Sequence, residues 1–208
     1  MERFAQLFLM IMAVALLAST GLAATVNGAD SAIPDGGEPN VRATLISEVT
    51  SVEPGKPFWV GLRQQIKPGW HTYWRNAGDA GAPTRLYWDL PQGFTVSEIH
   101  WPFPERIPYG SLINFGYHDE VLLLVQITSP ENLSGSQIEL VARAEWLVCE
   151  EICIPEDASL KIILLVGETA VRDERYRDLF ASTRLRLPQQ VVLKASVEIV
   201  GENISLVI

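Results

Sequence analysis

Cysteine is scarce in this sequence, which holds only two, Cys149 and Cys153, among 208 residues. This excludes a framework of several disulfides, the device that stabilises many small exported domains. The length leaves room for one ordinary domain, or for one domain and part of a second, with a core stabilised by apolar burial. A bond between the two cysteines would therefore serve chemistry rather than hold up the fold.

Basic residues are also few, because 16 Lys and Arg stand against 25 Asp and Glu, for a formal net charge of −9. Nucleic acids require a basic protein face, since their phosphates are negative. The sequence has no cluster of Lys and Arg that would form one, which excludes nucleic acid as a partner. The six tryptophans favour strands and core packing.

Long apolar runs are missing after the first residues of the chain. The start combines a short charged segment, an apolar stretch over residues 4–17 and a series of small residues. This order is typical of a secretory signal peptide, and the stretch is shorter than the roughly 20 residues of a spanning helix. We predict a signal peptide over residues 1–23, export of the mature chain, and a disordered leader over residues 24–40.

From Val41 onward the sequence consists of short strand-like runs separated by turns that contain Pro or Gly. In residues 137–148 apolar positions alternate with mostly polar ones, which is the period of a sheet with one buried face. Several such runs predict an all-β fold, a β-sandwich. The predicted strands cover residues 41–50, 58–64, 70–75, 84–90, 94–101, 121–128, 137–148 and 158–166.

Two segments inside this region do not resemble strands. Residues 77–83 are rich in glycine and predict a flexible loop. Residues 102–116 carry several prolines and aromatic residues, and a long loop of this kind inside a compact domain is usually functional. We therefore predict that residues 102–116 form a loop that acts as a lid.

The end of the chain departs from the all-β pattern. Residues 169–186 have apolar side chains at three- and four-residue steps and precede Pro188, which predicts one helix after the sandwich. Residues 191–200 and 204–208 follow as two predicted strands. Since two strands seldom make a stable domain, we predict that residues 168–208 hold the helix and the start of a second, truncated domain.

The spacing of the two cysteines constrains the local chain path. In a fully extended chain they would lie about 13 Å apart, whereas a disulfide needs Cα atoms within roughly 7 Å. If Cys149 and Cys153 pair with each other, the chain must turn at Glu150 and Glu151, between two strands. Pro155 would stop a helix from continuing there.

Three kinds of site are compatible with this pair of cysteines. A structural disulfide would close a tiny loop and remove little entropy from the unfolded chain. A zinc or copper(I) site would need both thiolates together with His71, His100 or His118, and the sequence has no histidine pair at ligand spacing to support it. A small-loop disulfide at a turn is accessible and easily exchanged, and we therefore favour a redox-active pair.

Glu150 and Glu151 change the expected character of such a pair. Their negative charge beside both sulfurs disfavours the thiolate form, which is the nucleophile in exchange reactions. We therefore predict a poor free nucleophile whose exchange depends on docking or on the activated cysteine of a partner.

The cysteine segment Trp-Leu-Val-Cys-Glu-Glu-Ile-Cys-Ile-Pro-Glu, with the upstream residues 69–76 and 114–117, resembles the N-terminal periplasmic domain of the thiol:disulfide interchange protein DsbD family. The resemblance covers about residues 41–166, a domain that we bound at 41–167. It is closest to the branch of the suppressor-of-copper-sensitivity membrane reductases. The resemblance implies an immunoglobulin-like β-sandwich and a location in the periplasm.

The resemblance also implies roles for individual residues. The family's second cysteine forms the mixed disulfide with partners, which implies this role for Cys153 and a resolving role for Cys149. His71 and Tyr73 are similar to aromatic positions near the family's site, and Glu150 and Glu151 are expected to line it.

A cap loop shields the cysteine pair in the family, and residues 105–110 lie at the matching place in this sequence. Two features depart from the better-known members. Three residues rather than five separate the cysteines, and the aromatic residue at the cap tip is replaced by Pro108, with Tyr109 beside it.

The function that follows is a periplasmic thiol–disulfide exchange domain, part of a protein-disulfide reductase, with no cofactor and no metal. The family implies that electrons arrive from a membrane-embedded reductase domain, in the same chain or a separate one, and pass to thioredoxin-fold periplasmic proteins. It also implies links to cytochrome c biogenesis and copper tolerance. The alternatives are a copper(I)-binding module for copper tolerance and a non-redox β-sandwich interaction module with a structural disulfide.

Overall fold

The computed structural model describes residues 38–189, 194–201 and 203–207. The signal peptide predicted over residues 1–23, and the predicted leader up to residue 37, lie outside the described residues. Within the described ranges, no helix has both the length and the apolar character that crossing a membrane would require.

Strands dominate the described chain, and one helix lies between the twelfth strand and the last two. The elements are β1 (Val41–Ser47), β2 (Val49–Val52), β3 (Pro57–Ile66), β4 (Thr72–Gly78), β5 (Arg85–Asp89), β6 (Thr95–Val96), β7 (Glu105–Tyr109), β8 (Leu112–Tyr117), β9 (Glu120–Thr128), β10 (Gln137–Cys149), β11 (Cys153–Val166), β12 (Val171–Arg172), α1 (Arg177–Leu185), β13 (Ser196–Val200) and β14 (Asn203–Val207). The four-stranded sheet has the order β1-β3-β9-β6, the five-stranded sheet β12-β2-β11-β10-β5 and the three-stranded sheet β4-β8-β7, while β13 pairs with β14. This confirms the predicted all-β, immunoglobulin-like β-sandwich with one helix after it.

The main core lies between the four-stranded and five-stranded sheets. Strand β10 supplies its apolar positions in alternation, with Leu140, Ala142 and Trp146 buried and the residues between them more exposed. Strands β3 and β9 supply Leu62 and Leu123 to the same cluster. Burial of side chains on this scale is the dominant stabilising term of such a domain, and it fixes the register of β10 against β11.

The helix α1 covers the outer face of the four-stranded sheet. Phe180 packs with Ile46, Leu122 and Leu124 in a second buried cluster, which explains why β9 is apolar on both faces. The helix is shorter than the predicted span 169–186, because Val171 and Arg172 pair with the edge of β2 instead. Sheet pairing with a distant strand therefore overrides the local helical pattern.

The segment predicted as a loop over residues 102–116 is largely an ordered hairpin, so this prediction was wrong. Strands β7 and β8 pair with each other through the register Pro108↔Ile113, and β8 also pairs with β4. Pro108 is tolerated because β7 is the edge strand of its sheet, where a missing N–H breaks no ladder bond. We call residues 105–117 the cap hairpin.

Glu156 on β11 ties the chain ahead of β1 to the hairpin of β10 and β11. Its Oε1 accepts hydrogen bonds from the backbone N and the Nδ2 of Asn40, both at 3.0 Å. Its Oε2 accepts from the backbone N of Val41 and from Nε1 of Trp146, both at 3.2 Å. The carboxylate of Glu156, three residues after Cys153, therefore accepts hydrogen bonds from four donors.

Replacing Glu156 by Ala should lower the free energy of unfolding by about 2–3 kcal/mol, because hydrogen bonds to a charged group contribute about 1.5–3 kcal/mol. Urea unfolding followed by circular dichroism measures this change. The control is Glu139→Ala on β10, whose exposed carboxylate pairs with Lys161 at 3.4 Å and should cost less than about 1 kcal/mol. Equal losses in the two variants would contradict the role assigned to Glu156.

Candidate functional site

The two cysteines close the hairpin of β10 and β11. The strands pair along their whole length, and the last pair of the register is Cys149↔Cys153. Their Cα atoms lie 4.2 Å apart and their sulfurs form a disulfide. The chain turns at Glu150 and Glu151, as a bond between these two cysteines requires.

Backbone pairing explains why the two sulfurs meet. The backbone N of Cys149 donates to the O of His71 at 3.0 Å, and the N of His71 donates to the O of Cys149 at 2.9 Å. The hydrogen-bonding groups of Cys149 therefore point toward His71 and away from β11. Cys149 and Cys153 form a non-hydrogen-bonded pair, the arrangement in which opposite residues of antiparallel strands lie closest, at about 4.5 Å between Cα atoms.

The two cysteines differ in their exposure to solvent. Cys149 is 3% exposed, whereas Cys153 belongs to the exposed residues. Exchange begins when a thiolate attacks one sulfur of a disulfide and expels the other. A thiolate from another protein can reach Cys153, and the expelled sulfur would then be the buried one.

The side chain of Tyr73 on β4 contacts the buried sulfur, and the side chain of His71, the residue before β4, contacts Tyr73. The hydroxyl of Tyr73 donates to Sγ of Cys149 at 2.9 Å and lies 3.5 Å from Sγ of Cys153. Nε2 of His71 lies 3.3 Å from the same hydroxyl, and the two rings meet edge to face. Because strand residues two apart lie on the same face, His71 and Tyr73 reach the disulfide together.

Gly81 packs against the ring of Tyr73 and Asn114 holds the neighbouring Ala80, and neither role was predicted from the sequence. Gly81 has a φ of +100°, and a Cβ there would lie 2.3 Å from the Tyr73 ring, so only glycine fits. The buried Asn114 accepts a hydrogen bond from the N of Ala80 at 3.0 Å. The glycine-rich segment predicted as a flexible loop is therefore fixed against β8.

The cap hairpin covers one side of the disulfide. The hydroxyl of Tyr109 donates to the backbone O of Glu151 at 2.8 Å, across the loop between the cysteines. A cavity of about 90 Å³ remains between the cap hairpin and the disulfide. The family resemblance implies that a cap shields both cysteines. Here the cap hairpin shields Cys149, whereas Cys153 stays exposed beside it.

All the residues predicted for the site line this one cavity. They are His71, Tyr73, Tyr109, Cys149, Glu150, Glu151 and Cys153, and the cavity also includes Ala80, Leu112 and Asn114. His100, one of the candidate metal ligands, lies elsewhere and packs against Trp59. Among residues 38–189, 194–201 and 203–207, no group of three His, Cys, Asp or Glu side chains is placed to hold a metal ion.

Burial sets the ionisation of the two side chains that approach the sulfur. It lowers the pKa of His71, and the nearby His118, whose ring centroid lies 5.7 Å away, lowers it further. It raises the pKa of Tyr73, with a smaller contribution from Tyr109. Tyr73 therefore keeps its proton at neutral pH and can donate it to a sulfur in a hydrogen bond.

Comparison with known proteins bears directly on this site. Residues 43–164 match the family model described as "Thiol:disulfide interchange protein DsbD, N-terminal". The solved N-terminal periplasmic domain of ScsB from Proteus mirabilis has a similar fold, with a TM-score of 0.59 and 18% sequence identity over 86% of this chain and 67% of that one. The search of curated proteins returned no match.

The family model spans more than half of the chain and includes both cysteines, which confirms the family predicted from the cysteine segment. The fold of the solved relative agrees with it. The chain belongs to the DsbD N-terminal family and carries a thiol–disulfide exchange domain with a cysteine pair.

Proposed function

We propose that this domain relays electrons in the periplasm. It accepts them from a membrane-embedded reductase through a thioredoxin-like domain and passes them to exported thioredoxin-fold proteins. The observation that carries the proposal is the unequal exposure of the two cysteines, because Cys153 is an exposed residue and Cys149 is only 3% exposed. The family match and the predicted signal peptide support this location and this kind of partner.

The relay proceeds by two thiol–disulfide exchanges. A thiolate of the donor attacks Sγ of Cys153, the bond between the two cysteines breaks, and its electron pair passes to Sγ of Cys149. The second donor thiolate then attacks the donor sulfur of the mixed disulfide and releases Cys153 as a thiolate. Onward transfer reverses these steps, so that Cys153 attacks the acceptor disulfide and Cys149 resolves the intermediate.

Tyr73 serves both directions of this exchange. Its hydroxyl already donates to Sγ of Cys149 in the disulfide, at 2.9 Å. When Cys149 becomes a thiolate, the same bond becomes charge-assisted and strengthens. The Tyr73 hydroxyl therefore points, before the reaction, at the atom on which negative charge develops, and it does so inside a largely buried site. A hydrogen-bond donor placed in this way stabilises a leaving group most effectively.

A trapping experiment tests the assignment of the two sulfurs. Reduced Cys149→Ser, mixed with an oxidised thioredoxin-fold protein, should accumulate a mixed disulfide through Cys153, because the resolving thiol is missing. Reduced Cys153→Ser is the matched control and should trap little, since its remaining sulfur is buried. Trapping through Cys149 alone would show that the roles of the two cysteines are inverted. If a variant lacking both cysteines still supported reduction of the partner, the disulfide of the wild type would be structural only.

Replacing Tyr73 by Phe should make the disulfide harder to reduce, because the Cys149 thiolate loses its donor. A hydrogen bond to a charged group contributes about 1.5–3 kcal/mol, which corresponds to a reduction potential lower by about 30–60 mV. Equilibration with dithiothreitol buffers measures the potential. Tyr87→Phe, which alters an exposed tyrosine on β5, should leave it unchanged, and an equal potential in both variants would contradict the role of Tyr73.

The two glutamates between the cysteines are exposed and should slow reduction by anionic thiols. In Glu150→Gln/Glu151→Gln, reduction by glutathione at low ionic strength should be about threefold faster than in the wild type. The gain should vanish at high salt, because salt screens exposed charges. Glu168→Gln alters an exposed carboxylate beyond the far end of β11 and should match the wild type; a gain that persists at high salt would exclude an electrostatic cause.

A further inference from the structure

A chain of polar contacts leads from the disulfide to a buried histidine. Cys149, Tyr73 and His71 are 3%, 2% and 5% exposed. Tyr73 donates to Sγ of Cys149 at 2.9 Å, and Nε2 of His71 lies 3.3 Å from the Tyr73 oxygen. A hydroxyl carries a single proton, so while Tyr73 donates to the sulfur, Nε2 must be the donor to Tyr73. Nδ1 of His71 then holds the free lone pair.

Reduction changes the charge at the inner end of this chain. In the disulfide, Sγ of Cys149 is neutral and a weak acceptor. Once the bond to Cys153 breaks, the electron pair gives this buried sulfur a full negative charge. A buried charge is unfavourable unless an opposite charge or hydrogen bonds compensate it. His71, which reaches the sulfur through the Tyr73 hydroxyl, is the basic side chain in position to do so.

We propose that reduction of the disulfide is coupled to the uptake of one proton by His71. This inference rests on the proposed function, because it concerns the same exchange. A donor thiolate attacks Cys153, the electron pair moves to Cys149, and a proton from solvent binds Nδ1 of His71. The imidazolium then donates through Nε2 to Tyr73, and Tyr73 donates to the Cys149 thiolate. His71 acts through Tyr73 and is therefore a positioning residue for the thiolate.

The groups around His71 decide the pH range of this coupling. His118, after β8, opposes a second positive charge on His71, and its own Nδ1 lies 3.1 Å from Oε2 of Glu105 on β7. Glu150 and Glu151 are the acidic side chains that line the same cavity. Tyr109 also lines the cavity.

The direction of the pH dependence follows from these charges. Burial and His118 lower the pKa of His71 in the oxidised protein, and a thiolate at Cys149 raises it in the reduced protein. Between the two pKa values only the reduced protein holds the proton, so lowering the pH through this window favours reduction. Above the higher value and below the lower one, reduction takes up no proton at His71.

Titration of the histidine ring signals by nuclear magnetic resonance tests the inference on the unaltered chain. The sequence has three histidines, which single substitutions assign. The pKa of His71 should be higher by about one unit or more in protein reduced with dithiothreitol than in the oxidised protein. His100, which packs against Trp59 and does not line this cavity, serves as the internal control for the comparison of the two forms. Equal pKa values of His71 in the two forms would overturn the inference.

The Tyr73→Phe variant tests the route of the coupling. Without the hydroxyl, the difference between the oxidised and reduced pKa of His71 should shrink by at least half, while its fold stays intact by circular dichroism. An undiminished difference would overturn the route through Tyr73. Chemical reduction needs no partner protein, so the titration of His71 is independent of the relay. If the domain exchanges disulfides with partners but the pKa of His71 does not change on reduction, only this inference fails. If the pKa of His71 changes but no exchange with partners occurs, only the proposed function fails.

Discussion

The register of β10 against β11 is the constraint on which the rest of the site depends. It ends in a non-hydrogen-bonded pair, Cys149↔Cys153, with Cα atoms 4.2 Å apart. A slip of one residue would turn every side chain of β10 to the opposite face and would expose Leu140 and Trp146, which are buried in the core. The apolar core, which extends along β10 to Val148, therefore fixes the position of the redox pair.

The same register makes the two sulfurs unequal. Backbone bonds to His71 hold Cys149 against the chain that leads into β4, so its sulfur lies under Tyr73 while Cys153 faces solvent. In the proposed relay, attack at Cys153 therefore produces charge at the buried Cys149. The hydrogen-bond chain from Cys149 through Tyr73 to His71 lies where that charge would form. Gly81 packs against the Tyr73 ring, and Asn114 holds the adjoining Ala80. The account we propose thus assigns the contact with partners to Cys153 and the developing charge to Cys149.

Much of this structure could be predicted from the sequence where local patterns reflect the fold. The alternation in residues 137–148 predicted β10 to within one residue, and the cysteine segment predicted the family. His71, Tyr73 and Tyr109 were placed in the site by resemblance, and they line the same cavity in the structure. The roles of these residues in exchange stay predictions until the experiments are done.

The features that the sequence did not predict depend on contacts between distant segments. Strand β7 was not predicted, because it contains Pro108. A proline is tolerated at this position only because β7 is an edge strand, which the sequence does not show. Val171 and Arg172 follow a helical pattern locally, yet they pair with β2. Gly81 and Asn114 acquire their roles only through packing on Tyr73 and Ala80, and the division of residues 168–208 into a second domain remains a prediction.

The central claim is that partners attack Cys153 and expel Cys149. The most direct measurement uses the unaltered oxidised chain and a thioredoxin-fold protein that retains only its attacking cysteine, with acid quenching and mass spectrometry of the adduct. Cleavage after Glu150 and Glu151 places the two cysteines on different peptides. The account predicts that the partner is attached to Cys153 and that Cys149 is a free thiol. Attachment to Cys149, or an equal mixture, would contradict it.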